Sequence, residues 1–537
     1  MASPGRLLIH LVRRLAVLPV RSPWLVALLA AAVLTVIRNL AGLESSPQGA
    51  YVDETSIGYN AWAISTHAVD EHGAHLPLYF TAFGEYKNPV YVYVLSAFLR
   101  VLPLTVTTER LPAAIFGLLT CLFITLIAWR RSRSLPLTTL VLALAALTPW
   151  LTIESRVGFE VISIVAVVSG ALLCLVIAQD RGRWGWYAAA GTLLGIAVFA
   201  YSTGRVAVVL LGIALVVAYG TRPKNRSRWW MITLVPVVAA YGVLVAWSAQ
   251  HPGAITARFN AINIWSDGAS IPTVAGRFLA NYFTYFGPDF LFVSGDHNVR
   301  HNTQFSGMLL WIALPLVLAG LVAAWRHRDQ PLVRFTVLGL LVAPVSAALT
   351  NESVPHAVRA AVMLPFLLVL CVEGMVFVAD HTGGWRRVAG AAVALAIAIE
   401  GVLFTVDMYS AWPARSALAF DSGEINAIAR ASELRGGGQL LLSINLDQPY
   451  IQAAFALRPP PPQTFVANSV FPLLTEMNMT LFDPADPPSV PGAVVVLNAG
   501  DPIPAGAQLL FVEATPASVI GGPLKLPLVT VLVYRLR

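Results

Sequence analysis

The sequence predicts an α-helical polytopic membrane protein with a small soluble α/β domain at its C-terminal end, and three observations carry that reading. Of 537 residues, 57% are hydrophobic and only 12% charged, about half the charge of an ordinary soluble domain. The apolar residues gather into long runs of the kind that cross a bilayer core about 30 Å thick as helices of about 20 residues. Beyond about residue 410 the texture changes to short β-prone segments punctuated by Gly436–Gly438, Pro459–Pro462 and a Pro/Asp cluster at 483–491.

Taken in order, apolar runs lie near 24–42, 111–129, 135–153, 161–178, 185–201, 205–220, 229–248, 307–325, 332–350, 358–379 and 388–408, which predicts about 11 spans. The first follows Arg6, Arg13, Arg14 and Arg21 and reads as a retained anchor with a cytoplasmic N-terminus. The stretch 89–104, "PVYVYVLSAFLRVLPL", is too short, Tyr-rich and Pro-bounded to span, and is expected to lie along the interface. With that choice the loops holding Arg130/Arg131/Arg133, Arg181/Arg183, Arg222/Lys224/Arg226/Arg228, Arg326/Arg328 and Arg386/Arg387 all fall on one side, the cytoplasmic one by the positive-inside rule. The outer face then receives the loops 43–110 and 249–306 and the tail. Residues 1–409 form the membrane domain and 410–537 the soluble one, with a helix over "SGEINAIARASEL" and strands at "QLLLSI", "GAVVVLN", "QLLFVEA" and "VTVLVYRL".

Composition also excludes. A net charge of +7 scattered over short loops offers no nucleic-acid groove. Cys121, Cys174 and Cys371 each lie inside an apolar run without CxxC spacing, so they read as packing. There is no P-loop or GxGxxG to drive a nucleotide-powered pump. A transporter or flippase for a polyprenyl-linked or anionic substrate is the alternative reading; it wants ionisable groups inside the spans, and Glu373 and Glu400 are the deep acids available.

The first outer loop draws the chemistry. "AYVDETSIGYNA" sets Asp53 and Glu54 side by side, followed by His67, Asp70, Glu71, His72 and His75, then "GEYKNP" with Glu85 and Lys87. So many acids and imidazoles on a surface otherwise poor in charge fit acid/base or metal-assisted chemistry on an anionic substrate. Cations recur at other outer membrane exits: Arg156, Arg205, Arg300 with His301, and His356 with Arg359. Together they suit a phosphate, for which arginine offers a planar fork of donors. The histidines show no paired metal-ligand spacing.

"DETSIGYNAWAI", "DEHGAHLPLYFTAFGEYKNPVYVY", "ERLPAAIFG", "SGDHNVRHN" and "PHAVRAAVMLP" together resemble a bacterial family of GT-C glycosyltransferases related to the protein O-mannosyltransferases and the aminoarabinose (lipid A) transferases. The resemblance spans about residues 45–380. It implies a multi-span GT-C enzyme of the bacterial inner membrane that transfers a sugar from a polyprenyl-phosphate donor to a glycan, lipid or protein hydroxyl on the outer face. It implies an acidic catalytic residue at Asp53, with Glu54 as its neighbour. A Glu and Lys late in the first loop serve metal and lipid-phosphate binding in the aminoarabinose transferases; Glu85 and Lys87 resemble them, with a divalent ion (Mg, Mn or Zn) at Glu85, although Glu-Tyr-Lys-Asn-Pro carries an extra residue on each side of the lysine. Arg205 resembles the family's basic residue at the start of a span. His301, His356 and Arg359 are assigned with it to the donor phosphate.

Overall fold

The computed structural model describes residues 22–221, 228–466, 469–515 and 528–537. The basic N-terminal residues Arg6, Arg13, Arg14 and Arg21, and Arg222, Lys224 and Arg226, lie outside the described residues.

Each predicted apolar run contains a helix. They are α1 (Pro23–Leu40), α4 (Val106–Ser132), α5 (Leu135–Leu147), α6 (Val161–Arg181), α7 (Trp184–Ala200), α8 (Gly204–Gly220), α9 (Leu234–Gln250), α10 (Ala313–Arg326), α11 (Pro331–Val342), α12 (Met363–His381) and α13 (Arg386–Ser410). Among the described residues, seven helical segments are long and apolar enough to cross a membrane, while α5, α7, α8 and α10 are shorter apolar helices. Proline accounts for some of the shortening: Pro149 ends α5, and a separate turn of helix, Pro149–Glu154, follows. At the centre stands α6, its apolar stretch wholly buried and packed against α4 and α7. At the periphery α1 exposes Leu29, Val33, Leu34 and Ile37, side chains for which lipid is the natural solvent. Backbones approach closely where small residues allow it. A Cβ on Gly374 of α12 would stand 1.9 Å from the Leu316 carbonyl oxygen of α10, so only glycine fits.

The segment 43–110 is more structured than the loop expected. It holds α2 (Val52–His67), the hairpin of β1 (Phe80–Ala82) and β2 (Glu85–Lys87), and α3 (Pro89–Phe98). At 10 residues, α3 is about 15 Å long, half of what a bilayer core requires.

The C-terminal part contains α14 (Glu424–Leu434), α15 (Pro449–Leu457), α16 (Phe471–Glu476) and a five-stranded sheet of β3 (Leu440–Ser443), β4 (Met479–Phe482), β5 (Val494–Asn498), β6 (Gln508–Ala514) and β7 (Val529–Arg535). Its order is β4-β3-β5-β7-β6, with β4, β3 and β5 parallel and β7 antiparallel to its neighbours. The four predicted strands and the predicted helix are present; β4, only four residues of "MTLF", is an addition. This layer packs on α2 through α15. Tyr59 of α2 belongs to the core of the sheet layer, whereas Phe455 of α15 belongs to the core of the helical bundle.

Candidate active site

Tyr51 caps helix α2, its backbone N–H donating to Glu54 Oε2 at 3.3 Å, and the first turn carries both Asp53 and Glu54, where the helix dipole favours negative charge. The two acids then part. Glu54 is 0% exposed and is gripped by Arg110 of α4, Nε to Oε1 at 2.7 Å and Nη2 to Oε2 at 2.9 Å, and it also accepts from Gly158 N–H at 2.9 Å. Arg110 spends its remaining donors on the Leu43, Pro47 and Gly49 carbonyls, so all five guanidinium N–H groups are used. Glu54, expected beside Asp53 in the catalytic pair, is thus placed as a buried anchor of the turn that presents Asp53.

Asp53 keeps about a third of its side chain exposed and is ion-paired with Lys87 of β2, whose ammonium also lies over the Phe83 ring at 5.1 Å. Burial alone would lower the Lys87 pKa, but the Asp53 and Glu160 carboxylates outweigh it and hold the lysine charged. Glu160, buried at the start of α6, accepts from the backbone N–H of Asn88 and from its Nδ2 at 3.3 Å. Burial pushes Glu160 up to about 7 against the pull of Lys87 and Asn88. Asn88 Oδ1 in turn accepts from Arg205 Nη2 at 3.0 Å, while Arg205 Nη1 donates to the Ile255 carbonyl at 3.2 Å and the guanidinium covers Tyr79 at 4.9 Å. Arg205 Nε is buried without a partner. Asp53, Lys87, Asn88, Glu160 and Arg205 thus form one connected group.

Other predicted residues lie elsewhere. Glu85 is half exposed and paired with Arg258 at 3.2 Å; Arg258 also pairs with Glu352 at 2.6 Å, and Glu352 with Arg359 at 2.5 Å. Glu85, expected to hold a metal, is thus paired with a guanidinium. Arg359, expected at the donor phosphate, has its guanidinium engaged by Glu352 and Thr350 Oγ1. Arg156, another of the cations expected at membrane exits, caps the C-terminal end of α1 by donating to the Arg38, Ala41 and Gly42 carbonyls.

His301 and His356 were expected at the phosphate, but they come together with a residue the sequence reading missed, Asp296. Ligand atoms of the three lie within 4.8 Å of one another. His301 Nδ1 is 2.8 Å from Asp296 Oδ2, which also accepts from Ala357 N–H at 2.7 Å, and the two imidazole rings are 4.7 Å apart. Burial, then the nearby His301 and Arg359, keep His356 well below its usual pKa and hence neutral. Burial opposes the ionised form of Asp296, but the His301 hydrogen bond prevails and lowers its pKa. A carboxylate, a neutral imidazole whose Nδ1 is buried without a partner, and a second imidazole are a donor set suited to a divalent ion such as Zn²⁺. The signal was an Asp and a His five residues apart in "GDHNVRH", spanned by a turn rather than a helix.

The deep acids of the alternative reading are both engaged. Glu373 binds Arg131 at 2.6 and 2.9 Å, and Glu400 accepts from the backbone N–H groups of Trp311 and Ile312 at 2.5 and 3.2 Å.

No family model matches the sequence, and no curated protein does. The fold is shared with solved structures. ArnT from Cupriavidus metallidurans bound to undecaprenyl phosphate superposes with a TM-score of 0.55 at 13% identity, covering 96% of this chain and 98% of that one. The apo state of the same protein gives 0.55 at 12% identity, covering 95% and 97%. A more distant likeness, TM-score 0.48 at 15% identity over 82% of this chain and 58% of that one, is to an Archaeoglobus fulgidus oligosaccharyltransferase in complex with Zn and sulfate. The chain is a multi-pass membrane protein with the GT-C fold.

Proposed function

We propose that this chain is an inverting glycosyltransferase that moves a sugar from a polyprenyl-phosphate donor to an acceptor hydroxyl on the outer face of a bacterial inner membrane. The observation that carries the reading is the partly exposed Asp53 carboxylate, held beside the charged Lys87 and linked through Asn88 to Arg205, on the fold of a protein whose structure binds undecaprenyl phosphate.

The chemistry follows from these groups. An alcohol is a poor nucleophile at neutral pH, so a carboxylate within reach must take its proton as the anomeric carbon becomes electrophilic. Asp53 has the exposure to do so, and Glu54, sealed against Arg110, does not. As the acceptor oxygen bonds to the anomeric carbon, the carbon–oxygen bond to phosphate breaks and polyprenyl phosphate leaves with the electron pair. Lys87 and Arg205 stabilise the charge that grows on it. A donor phosphate competes with Asp53 for Lys87, so donor binding itself frees the base. A single displacement inverts the anomeric carbon. Asp296, His301 and His356 would hold a divalent ion, which when bound supplies positive charge. Glu373 and Glu400, the deep acids on which the transporter alternative relied, are both engaged.

Deletion of the gene followed by mass analysis of surface glycans, glycolipids and glycoproteins tests the proposal. One missing sugar unit is expected; an unchanged envelope would refute it.

A further inference from the structure

Asp53 is the second residue of α2, so the backbone just before it sets where its carboxylate points. Arg110 holds that lead-in from the membrane part, donating to the Pro47 and Gly49 carbonyls while it grips Glu54. The C-terminal part meets the same lead-in residue by residue. Gly49 has φ +91°, and a Cβ there would stand 2.2 Å from the Phe420 carbonyl oxygen and 2.9 Å from the Ser422 nitrogen, so the two backbones touch and only glycine fits. The Ala50 carbonyl accepts from Gln452 Nε2 of α15 at 3.3 Å, and the same nitrogen donates to Asp421 Oδ2 at 3.3 Å. The Tyr51 ring meets the Phe420 ring edge-on at 5.7 Å. Arg300 lies over Tyr51 at 4.7 Å and is itself held by the Ala419 carbonyl at 2.5 Å. Three consecutive residues leading to Val52 and Asp53 therefore have partners beyond residue 410.

Phe420 and Gln452 are both 0% exposed, and neither reads as filler. The Phe420 ring also lies 5.7 Å from the Arg110 guanidinium, so one side chain joins the cation that anchors Glu54 to the residue that caps α2. Gln452 is an amide in a place where leucine would fill the space, and its Oε1 is buried without a partner among the described residues. Burying an amide so incompletely satisfied costs free energy, which leaves its hydrogen bond to Ala50 as the reason for an amide there. The groups around Lys87 and Arg205 are of different origin. Asp53, Phe83, Asn88, Tyr79 and Ile255, which contact those two cations, all precede residue 410.

We propose that Phe420 and Gln452 are positioning residues, which hold Ala50 and Tyr51 so that the first turn of α2 presents the Asp53 carboxylate to the acceptor. The inference rests on the transferase reading and goes further by giving residues 410–537 a part in the transfer step. Misplacing a reacting group by about 1 Å can slow a reaction about 100-fold. Loss of either side chain therefore acts on the rate of transfer, whereas the donor phosphate, bound by Lys87 and Arg205, is held as before.

The test uses purified full-length wild type, Gln452→Leu, Phe420→Leu, Asp53→Asn, the double variant Asp53→Asn/Gln452→Leu, and Glu433→Gln as a control at an exposed position of α14. Binding of undecaprenyl phosphate is measured for each, and release of polyprenyl phosphate from donor lipids of the deletion strain, with acceptor glycan supplied, gives kcat and the donor KM. Gln452→Leu and Phe420→Leu are expected to bind undecaprenyl phosphate like wild type, with donor KM little changed and kcat lowered about ten- to hundredfold. Glu433→Gln should match wild type. The double variant should be no slower than Asp53→Asn alone, since a residue that acts through Asp53 has nothing left to act on. If Phe420→Leu does not fold, Gln452→Leu decides. Wild-type kcat in Gln452→Leu, a loss of undecaprenyl phosphate binding in step with kcat, or a double variant slower than Asp53→Asn by the full Gln452→Leu factor would each overturn the inference while leaving the transferase reading intact. Absence of release by the wild type, with an unaltered envelope in the deletion strain, would instead remove both.

Discussion

Adjacent residues on a helix point about 100° apart, and here that angle separates the proposed base, Asp53, from the acid held by Arg110, Glu54. Glu54 and Arg110 are both fully buried, so Glu54→Gln leaves a guanidinium without its counter-charge. A loss of about 3–5 kcal/mol is expected, read as a lower midpoint of thermal unfolding of the detergent-purified protein; a wild-type midpoint would show that the pair does not anchor the turn. Asp53→Asn, at a partly exposed position, should leave that midpoint near wild type. The sequence displayed both acids but could not say which faces water, because that depends on Arg110, 56 positions further along the chain. Asp296 escaped notice for a related reason. Its partners His301 and His356 meet only through a turn and a distant segment. Metal analysis of purified protein checks this cluster: a bound divalent ion is expected, lost in Asp296→Asn and His356→Ala and retained in Glu85→Ala. Retention in the first two, with loss in the third, would return the metal to Glu85.

At the scale of elements, the spans and most of the sheet were legible because apolar runs and β-branched runs are local signals. The segment 43–110 was not, since its order comes from partners elsewhere. Glu71 illustrates this. It exchanges hydrogen bonds with Asn60 of α2, accepting from Nδ2 at 3.1 Å and donating its own N–H to Oδ1 at 2.9 Å. Burial, only partly offset by Asn60, raises its pKa from 4.5 to about 8. The folded protein therefore keeps a proton that the unfolded chain releases. The stabilisation is full below the unfolded pKa and disappears as pH rises through the folded one. Thermal midpoints should fall between about pH 5 and pH 8.5, and Glu71→Gln, which mimics the protonated acid, should flatten that fall. An unchanged slope in Glu71→Gln would assign the effect to other groups.

For the whole molecule, orientation decides whether the site faces the outer side. Single cysteines at Arg133 and His297, both exposed, in a chain lacking Cys121, Cys174 and Cys371, should react with a membrane-impermeant reagent in intact cells only at His297. Reaction at Arg133 alone would turn the site inward. The central claim, that Asp53 removes the acceptor proton as polyprenyl phosphate departs, is tested most directly by release of polyprenyl phosphate from donor lipids of the deletion strain, with purified wild-type and Asp53→Asn protein supplied with acceptor glycan. The account predicts release slowed about 10²–10⁴-fold in Asp53→Asn, with binding of undecaprenyl phosphate preserved. Release by folded Asp53→Asn protein at the wild-type rate would contradict it.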